Sequence, residues 1–395
     1  MGTVTLKPGR EESLRRHHPW LFSGAVRSAD SSVRSGETID ILSSDGAWLA
    51  SGAYSEHSQI RVRVWSFDHD EDISDSFFRR RLERAVRARE PLLRDGTVTA
   101  CRLVYGESDG LPGLIVDRYG DFLVCQFLAA GVDFRRRDII GQLKELAPAE
   151  GIYERSDADV RLKEGLELRT GVLEGKEPPE LVEIHEGNLR YLVDIRRGHK
   201  TGFYLDQREN RARIGEFSGG AEVLNCFAYT GGFGLRALKG GAAAVTNIDT
   251  SSDAAALARL NVSLNGLDES RVEHITGDVF KFLRTYRDSR RQFDLIVLDP
   301  PKFVGSAAQL AGGSRGYKDI NLLAFKLLRP GGVLFTFSCS GLLDPALFQK
   351  IVSDAALDAG RDACIIRYLG QASDHPVALN FPESRYLKGF ICTVW

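Results

Sequence analysis

Apolar and polar positions follow three successive regimes along the chain. Up to about residue 70, the runs TVTLKP, ETIDILSS, GAWLASGAYS and QIRVRVWSF alternate or run apolar, with Gly36, Gly46 and Gly52 between them. Period-two runs punctuated by glycine predict a small β-barrel or sandwich. Over 75–94, Phe77, Phe78, Leu82, Ala85, Val86 and Leu92-Leu93 recur at three- and four-residue spacing, which predicts an amphipathic helix capped by Ser74 or Asp75. From 100 to about 171, CRLVYG, GLIVDRYG and FLVCQFLAA read as strands, 134–146 as a helix and GIYERSD as a strand, a small α+β domain. GKEPP at 175–179 reads as a connector, and LVEIHEGNLRYLVDI as a hairpin turning at Glu186-Gly187-Asn188.

The last 200 or so residues differ. EVLNCF, AVTNID, VEHITGD, FDLIVLDP and GVLFTFSCS are near-continuous apolar strands, separated by helical stretches at 252–265 and 279–286. That alternation predicts a parallel sheet covered on both faces by crossover helices. Three domains are expected, at 1–70, 71–175 and 176–395, which suits a length of 395 residues.

Composition changes this picture little. A net charge of -2 carries no global nucleic-acid signature, so any basic footprint is local. Two local ones stand out. Lys7, Arg10, Arg15, Arg16, His17 and His18 surround Pro19-Trp20-Leu21-Phe22, and seven arginines lie between Arg79 and Arg94. The first suits a phosphate backbone with a stacked base, the second a phosphate track. The ordinary alternatives are that Trp20 and Phe22 plug the small core and that the arginines form a solvated helix face. No apolar run spans a bilayer, and the start, MGTVTLKPGR, lacks a signal-peptide core. Six cysteines at 101, 125, 226, 339, 364 and 392 show neither a CxxC nor a metal spacing. A cytoplasmic protein with reduced thiols, no bound metal and no membrane partner is expected; a homodimer is one admissible oligomeric state.

The candidate chemistry sits where these strands end. After EVLN the chain reads Cys226-Phe227-Ala228-Tyr229-Thr230-Gly231-Gly232-Phe233-Gly234. Glycines at a strand-to-helix turn admit a ligand to the backbone, although the spacing is not GxGxxG. Asp249 ends the next strand, 24 positions after Asn225, where a carboxylate accepts both hydroxyls of a ribose. Asp278 follows in TGDVF, placed for an adenine amino group, and Asp299 ends LIVLD. A single aspartate at a strand end is more often a cap or turn former. Three in succession repel a phosphate-rich cofactor and suit a nucleoside carrying a sulfonium, S-adenosylmethionine. Asn225, Phe227, Tyr229, Thr230, Gly231, Asp249, Asp278, Asp299 and Pro300 are the expected contacts. Upstream, His199–Arg208, with Phe203, Asp206, Gln207 and Arg208, reads either as a flap over that cofactor or as a helix start packed on the sheet.

Cys339 lies between Ser338 and Ser340 at the end of GVLFTFS. A thiolate there has the exposure and polar setting that reactivity needs, whereas Cys125 and Cys226 lie inside apolar strands. Pyrimidine C5 is a poor nucleophile; thiolate addition at C6 turns the ring into an enamine-like species whose C5 attacks a sulfonium methyl. Asp299-Pro300-Pro301-Lys302-Phe303 would meet the base. Asp299 and the rigid backbone through Pro301 reach its N3 and amino edge, Phe303 stacks on it once it is flipped out, and Lys302 meets a phosphate or developing negative charge.

KTGFYLDQRENR, NCFAYTGGFG, LDPPKF, FSCSG and DHPVALNFPESRYLKGF together resemble the RlmI-type 23S ribosomal RNA (cytosine-C5) methyltransferases, of the class I S-adenosylmethionine-dependent superfamily. The resemblance spans essentially the whole chain. It implies an N-terminal β-barrel PUA domain that binds RNA, a central α+β domain of EEHEE type, and a C-terminal Rossmann-like methyltransferase domain. It also implies that Cys339 is the nucleophile, and that the partner is 23S ribosomal RNA or a large-subunit assembly particle. One departure concerns the two-cysteine RNA cytosine methyltransferases, which carry a further cysteine after the Asp-x-Pro turn to help release product. Lys302 stands in that place here, so another group must assist release. Two other readings are N-methylation of an exocyclic amine of adenine or guanine with Cys339 a spectator, and an RNA-binding assembly factor with a vestigial cofactor fold. A nicotinamide dehydrogenase is disfavoured by the missing GxGxxG.

Overall fold

A computed structural model describes residues 2–395. The chain divides into two compact units. The first holds the chain up to Asn188 with Val193–Leu205 and Ser373–Ser384; the second holds Leu189–Leu192, Asp206–Ala372 and Arg385–Trp395. Among the described residues no helix is long and apolar enough to cross a membrane.

The first unit has two sheets, each with its own core. One is six-stranded, in the spatial order Trp20–Phe22, Ile60–Ser66, Trp48–Tyr54, Thr38–Leu42, Gly2–Leu6, Val26–Ala29, around Val4, Leu6, Leu14, Leu21, Ile39, Ile41 and Val62. Alternation in the first of these strands runs opposite to the core-plug reading. Leu21 is the buried residue, while Phe22 is half exposed and Trp20 lies partly open with its indole N–H on Glu107 Oε1 at 2.8 Å. Pairing of Leu21 with Val62 sets that register. The second sheet is five-stranded, in the order Arg169–Gly175, Gly151–Ser156, Phe122–Phe127, Leu114–Tyr119, Ala100–Tyr105. The helix Asp75–Leu93 buries Phe77, Phe78, Leu82 and Ala85 in its core. The single helix expected at 134–146 is two, Ala130–Phe134 and Arg136–Leu146, because Arg135 leaves helical geometry between them. The expected hairpin forms from Val182–Glu186 and Leu189–Val193.

The arginine-rich helix is neither a bare track nor a simply solvated face. Arg89 is buried and clasps Asp109 through two bonds of 2.9 and 2.8 Å; Arg80 and Arg81 pair with Glu71, Arg79 with Glu145 and Arg87 with Glu83. A second pair, half-buried Arg102 on fully buried Asp117 at 2.7 and 2.8 Å, is joined by the Thr201 hydroxyl, which donates to Asp117. Arg155 donates to the Ile195 and Gly198 carbonyls at 3.1 and 3.0 Å. The segment 195–203 is thereby held by strands of the five-stranded sheet.

The second unit is one seven-stranded sheet flanked by helices. In chain order the elements are β1 (Glu222–Cys226), α1 (Gly232–Lys239), β2 (Ala244–Asp249), α2 (Ser252–Leu264), β3 (Val272–Thr276), α3 (Val279–Asp288), β4 (Phe293–Leu298), α4 (Leu310–Leu327), β5 (Leu328–Ser338), α5 (Pro345–Ala359), β6 (Ala363–Gly370) and β7 (Lys388–Val394). Their spatial order is 3-2-1-4-5-7-6, parallel throughout except for β7, which runs antiparallel to both β5 and β6. Leu295, Ile296, Val297 and Leu298 of β4 are all fully buried, the reason that strand reads as continuous rather than alternating hydrophobicity. Strand order reverses between β1 and β4, and reversal opens a crevice beyond the carboxyl ends of those two strands.

Asp117 is fully buried and accepts from both the Arg102 guanidinium and the Thr201 hydroxyl, so Asp117→Ala removes three bonds at once in the first unit. A loss of about 3–5 kcal/mol is expected. Urea unfolding followed by tryptophan fluorescence checks it, since Trp20, Trp48 and Trp65 all lie in that unit.

Candidate functional site

Beyond β1 the chain turns sharply. Phe227 and Tyr229 take left-handed backbone conformations at φ 59° and 47°, and Gly231 follows at 76° as the residue before α1. Non-glycine residues held there cost about 1–3 kcal/mol each, and such strain gathers at ligand sites. The surroundings hold the turn: Ala228 N–H donates to Ile248 O at 3.0 Å, Gly231 N–H to Ala228 O at 2.9 Å, and Tyr229 N–H to Asp249 Oδ2 at 2.7 Å. Gly234 has a separate task. A Cβ there would collide with the Asn247 amide, so its absence lets α1 close onto β2. Asn225 is buried, donating to Asn247 Oδ1 at 2.8 Å. The Thr230 hydroxyl is buried and has no hydrogen-bond partner among the described residues. Such an orphan beside a braced turn and a fixed carboxylate fits the polar nucleoside ligand expected from the sequence.

The acids divide. Asp249 is half-buried, with Oδ2 on Tyr229 N–H and Oδ1 on Ser251 N–H at 2.9 Å, so it both shapes the turn and presents its charge there. Asp278 is exposed and caps α3 through Lys281 N–H at 3.1 Å. Asp299 is half-buried past β4 and accepts from Gln207 Nε2 at 3.0 Å. Gln207 Oε1 in turn accepts from Asn210 Nδ2 at 2.6 Å. Asp206 bonds the Tyr386 hydroxyl, and Arg208 is buried on the helix Arg208–Ile214. Asp206, Gln207 and Arg208 thus belong to the second unit with the strand ends. Phe203 belongs to the first, where its N–H donates to Tyr119 Oη at 3.2 Å.

The loops after β4 and β5 are fastened together. Cys339 Sγ is half-buried and 3.9 Å from the Pro300 carbonyl. The next residue, Ser340, is fully buried; its Oγ accepts from Val304 N–H at 3.1 Å and meets Tyr317 Oη at 2.9 Å. Glycines let α4 approach that junction: a Cβ at Gly313 would lie 2.8 Å from the Phe303 carbonyl oxygen. Pro301 and Lys302 are exposed. Phe303 is half-buried in an aromatic group, with ring centroids 4.7 Å from Tyr317, 5.9 Å from Phe280 and 6.3 Å from Phe227.

Cys339 differs from the other cysteines by its environment. Burial pushes the Cys125 and Cys226 thiols well up from the ordinary range and Cys392 up to about 12. Cys101 is buried, and Cys364 is exposed on β6. Two participants had no role in the sequence reading, Tyr317 and Lys388, and Ser340 figured there only as the polar neighbour of Cys339. Lys388 Nζ donates to the carbonyls of Ser340 and Leu343, both at 2.6 Å, from a side chain almost wholly buried. The available signal was a lone lysine opening an otherwise apolar strand, KGFICTV.

Ser340→Ala leaves the buried Val304 N–H without its acceptor. A cost of about 1–3 kcal/mol is expected, read as a lower denaturation midpoint.

Comparison with known proteins follows the same outline. A family model described as S-adenosylmethionine-dependent methyltransferase matches residues 168–384, and one described as a PUA-like domain matches residues 4–67. A protein named ribosomal RNA large subunit methyltransferase I from Aeromonas salmonicida is 56% identical over 388 residues, 98% of each chain. Its namesake from Shewanella amazonensis is 55% identical over 392 residues, 99% of each. In fold, the chain is similar to a Streptococcus mutans protein described as a SAM-dependent methyltransferase, at TM-score 0.86 and 24% identity over 100% of both chains. It is also similar to a methyltransferase-like structure solved with SAH, at TM-score 0.87 and 23% identity over 100% of both.

Proposed function

As the chain belongs to the S-adenosylmethionine-dependent methyltransferase family, alongside proteins named ribosomal RNA large subunit methyltransferase I, we propose that it methylates C5 of a cytosine in 23S ribosomal RNA through a Cys339–C6 adduct. The observation that carries this reading is a half-buried thiol, 3.9 Å from the Pro300 carbonyl, at the carboxyl edge of a methyltransferase sheet. Methylation of an exocyclic amine needs no thiol.

The cofactor supplies an electrophilic methyl on a sulfonium. Asp249, fixed by two backbone N–H groups, takes the ribose hydroxyls, and the unpartnered Thr230 hydroxyl and the turn from Phe227 to Gly231 line the same end of β1. Asn225 joins them from β1, its amide held by Asn247, and Asp278 stands at the adenine end. Asp206, Gln207 and Arg208 close the site from the chain at 206–208. Gln207 also orients Asp299. Asp299, Pro300 and Pro301 meet the pyrimidine edge, Phe303 its face, and Lys302 a phosphate or the developing negative charge.

In the reaction the Cys339 thiolate adds to C6, and the C5–C6 electron pair becomes nucleophilic at C5. C5 takes the methyl, releasing the sulfonium sulfur as a neutral thioether. A base then removes the C5 proton, and the electrons expel the thiolate from C6. The protein is proposed to act in the cytoplasm on ribosomal RNA or an assembling large subunit. Its domains are proposed at 1–70, 71–175 and 176–395, the first contributing RNA contacts.

Wild type and Cys339→Ala, incubated with labelled S-adenosylmethionine and unmodified 23S RNA and followed by nucleoside analysis, decide the matter. Wild type is expected to yield 5-methylcytosine, and the variant to lose roughly a thousandfold or more in rate while still binding cofactor. Full activity in Cys339→Ala, or label on an exocyclic nitrogen, transfers the assignment to amine methylation.

A further inference from the structure

The first residue of β7 is a buried lysine to which the reaction above gives no role. Because β7 runs antiparallel, its first residue rather than its last reaches the site edge of the sheet, and Lys388 stands in register opposite Ser338, the residue before Cys339. Its Nζ holds the carbonyls of Ser340 and Leu343, so the lysine brackets the cysteine on both sides in sequence. Two carbonyls at 2.6 Å occupy two of the three ammonium donors. Neutral structural partners would serve those carbonyls without the cost of burying a charge.

We propose that Lys388 is a positioning residue for Cys339, its buried ammonium fixing the loop that bears the thiol and favouring the thiolate. This rests on the reading of Cys339 as nucleophile.

The surrounding charges agree with that role. Burial draws the Lys388 ammonium down to about 8; Cys339 and Asp344 act in the opposite sense, and Arg385 and Lys302 add to the depression. The ammonium is therefore the main form at neutral pH, and its support of a thiolate is full below about 8 and fades above it. Of the groups facing Lys388, Asp344 caps α5 through Leu347 N–H and Lys302 is exposed on the loop after β4. An ammonium that acts electrostatically on a thiol is also what lets an enzyme keep a reactive thiolate without histidine.

The test is the rate of Cys339 alkylation by iodoacetamide against pH, followed by mass spectrometry of the Cys339 peptide because the exposed Cys364 reacts as well. In Lys388→Met the midpoint should move to higher pH by about one unit or more, with S-adenosylmethionine binding retained. Lys388→Arg should restore most of the shift. If Lys388→Met loses cofactor binding, Lys388→Gln, which keeps an amide donor and removes only the charge, is read by the same criterion. A wild-type midpoint in either charge-free variant overturns the proposal, as does loss of cofactor binding in both, which would make the lysine purely structural. Alkylation uses no RNA, so this result stands apart from the Cys339→Ala methylation test that decides the reading beneath it.

Discussion

A parallel sheet sends every carboxyl end to the same edge, and the second unit depends on that constraint. Right-handed crossovers place α1 to α4 on the two faces, and the reversal of strand order at β1 and β4 leaves those two ends without a connecting segment across them. The left-handed turn after β1 and the Asp-Pro-Pro turn after β4 lie on that edge, with Asp249 and Cys339 at the ends of the neighbouring strands. Strand β7 breaks the parallel rule, and its reversed direction brings Lys388 to the same edge from its amino end.

Rigidity at this edge comes from a few buried polar contacts rather than from regular structure. Ser340 ties the β5 loop to Val304 and Tyr317, Gln207 ties Asp299 to the helix start, and Asp249 ties the turn after β1. Each contact replaces solvent by a fixed dipole, which is how a site holds its groups ready before a substrate arrives. Left-handed Phe227 and Tyr229 fit the same account, since strain persists only where surrounding bonds over-determine it.

Charge on the first unit reads differently in three dimensions than along the chain. A run of seven arginines invites a single role, yet Arg89 is buried on Asp109 while Arg79, Arg80, Arg81 and Arg87 answer acids elsewhere. Sequence spacing places these side chains on a helix but carries no information about the distant partners Asp109 and Glu145. The aromatic pair Trp20 and Phe22 shows the same limit: one residue of strand register decides that Leu21 goes inward and its neighbours do not.

The sequence by itself determined the elements whose signal is local and strong. The five parallel strands, the helices over 75–93, 252–264 and 279–288, the glycine turn after β1 and the cysteine at a strand end all follow from periodicity and turn chemistry within a dozen residues. Arg169–Gly175 escaped because an exposed edge strand needs little hydrophobicity, and α4 because Gly312, Gly313 and Gly316 lower its helix propensity, although close packing on Phe303 and Val304 calls for glycine at 313 and 316. Only the tertiary structure decided that β7 inserts between β5 and β6, that Asp278 caps a helix, and that Lys388 and Tyr317 both bond Ser340, the residue after Cys339. Those residues are 23 to 71 positions apart. Strand insertion and loop packing are set by burial summed over the whole core, which no local pattern contains.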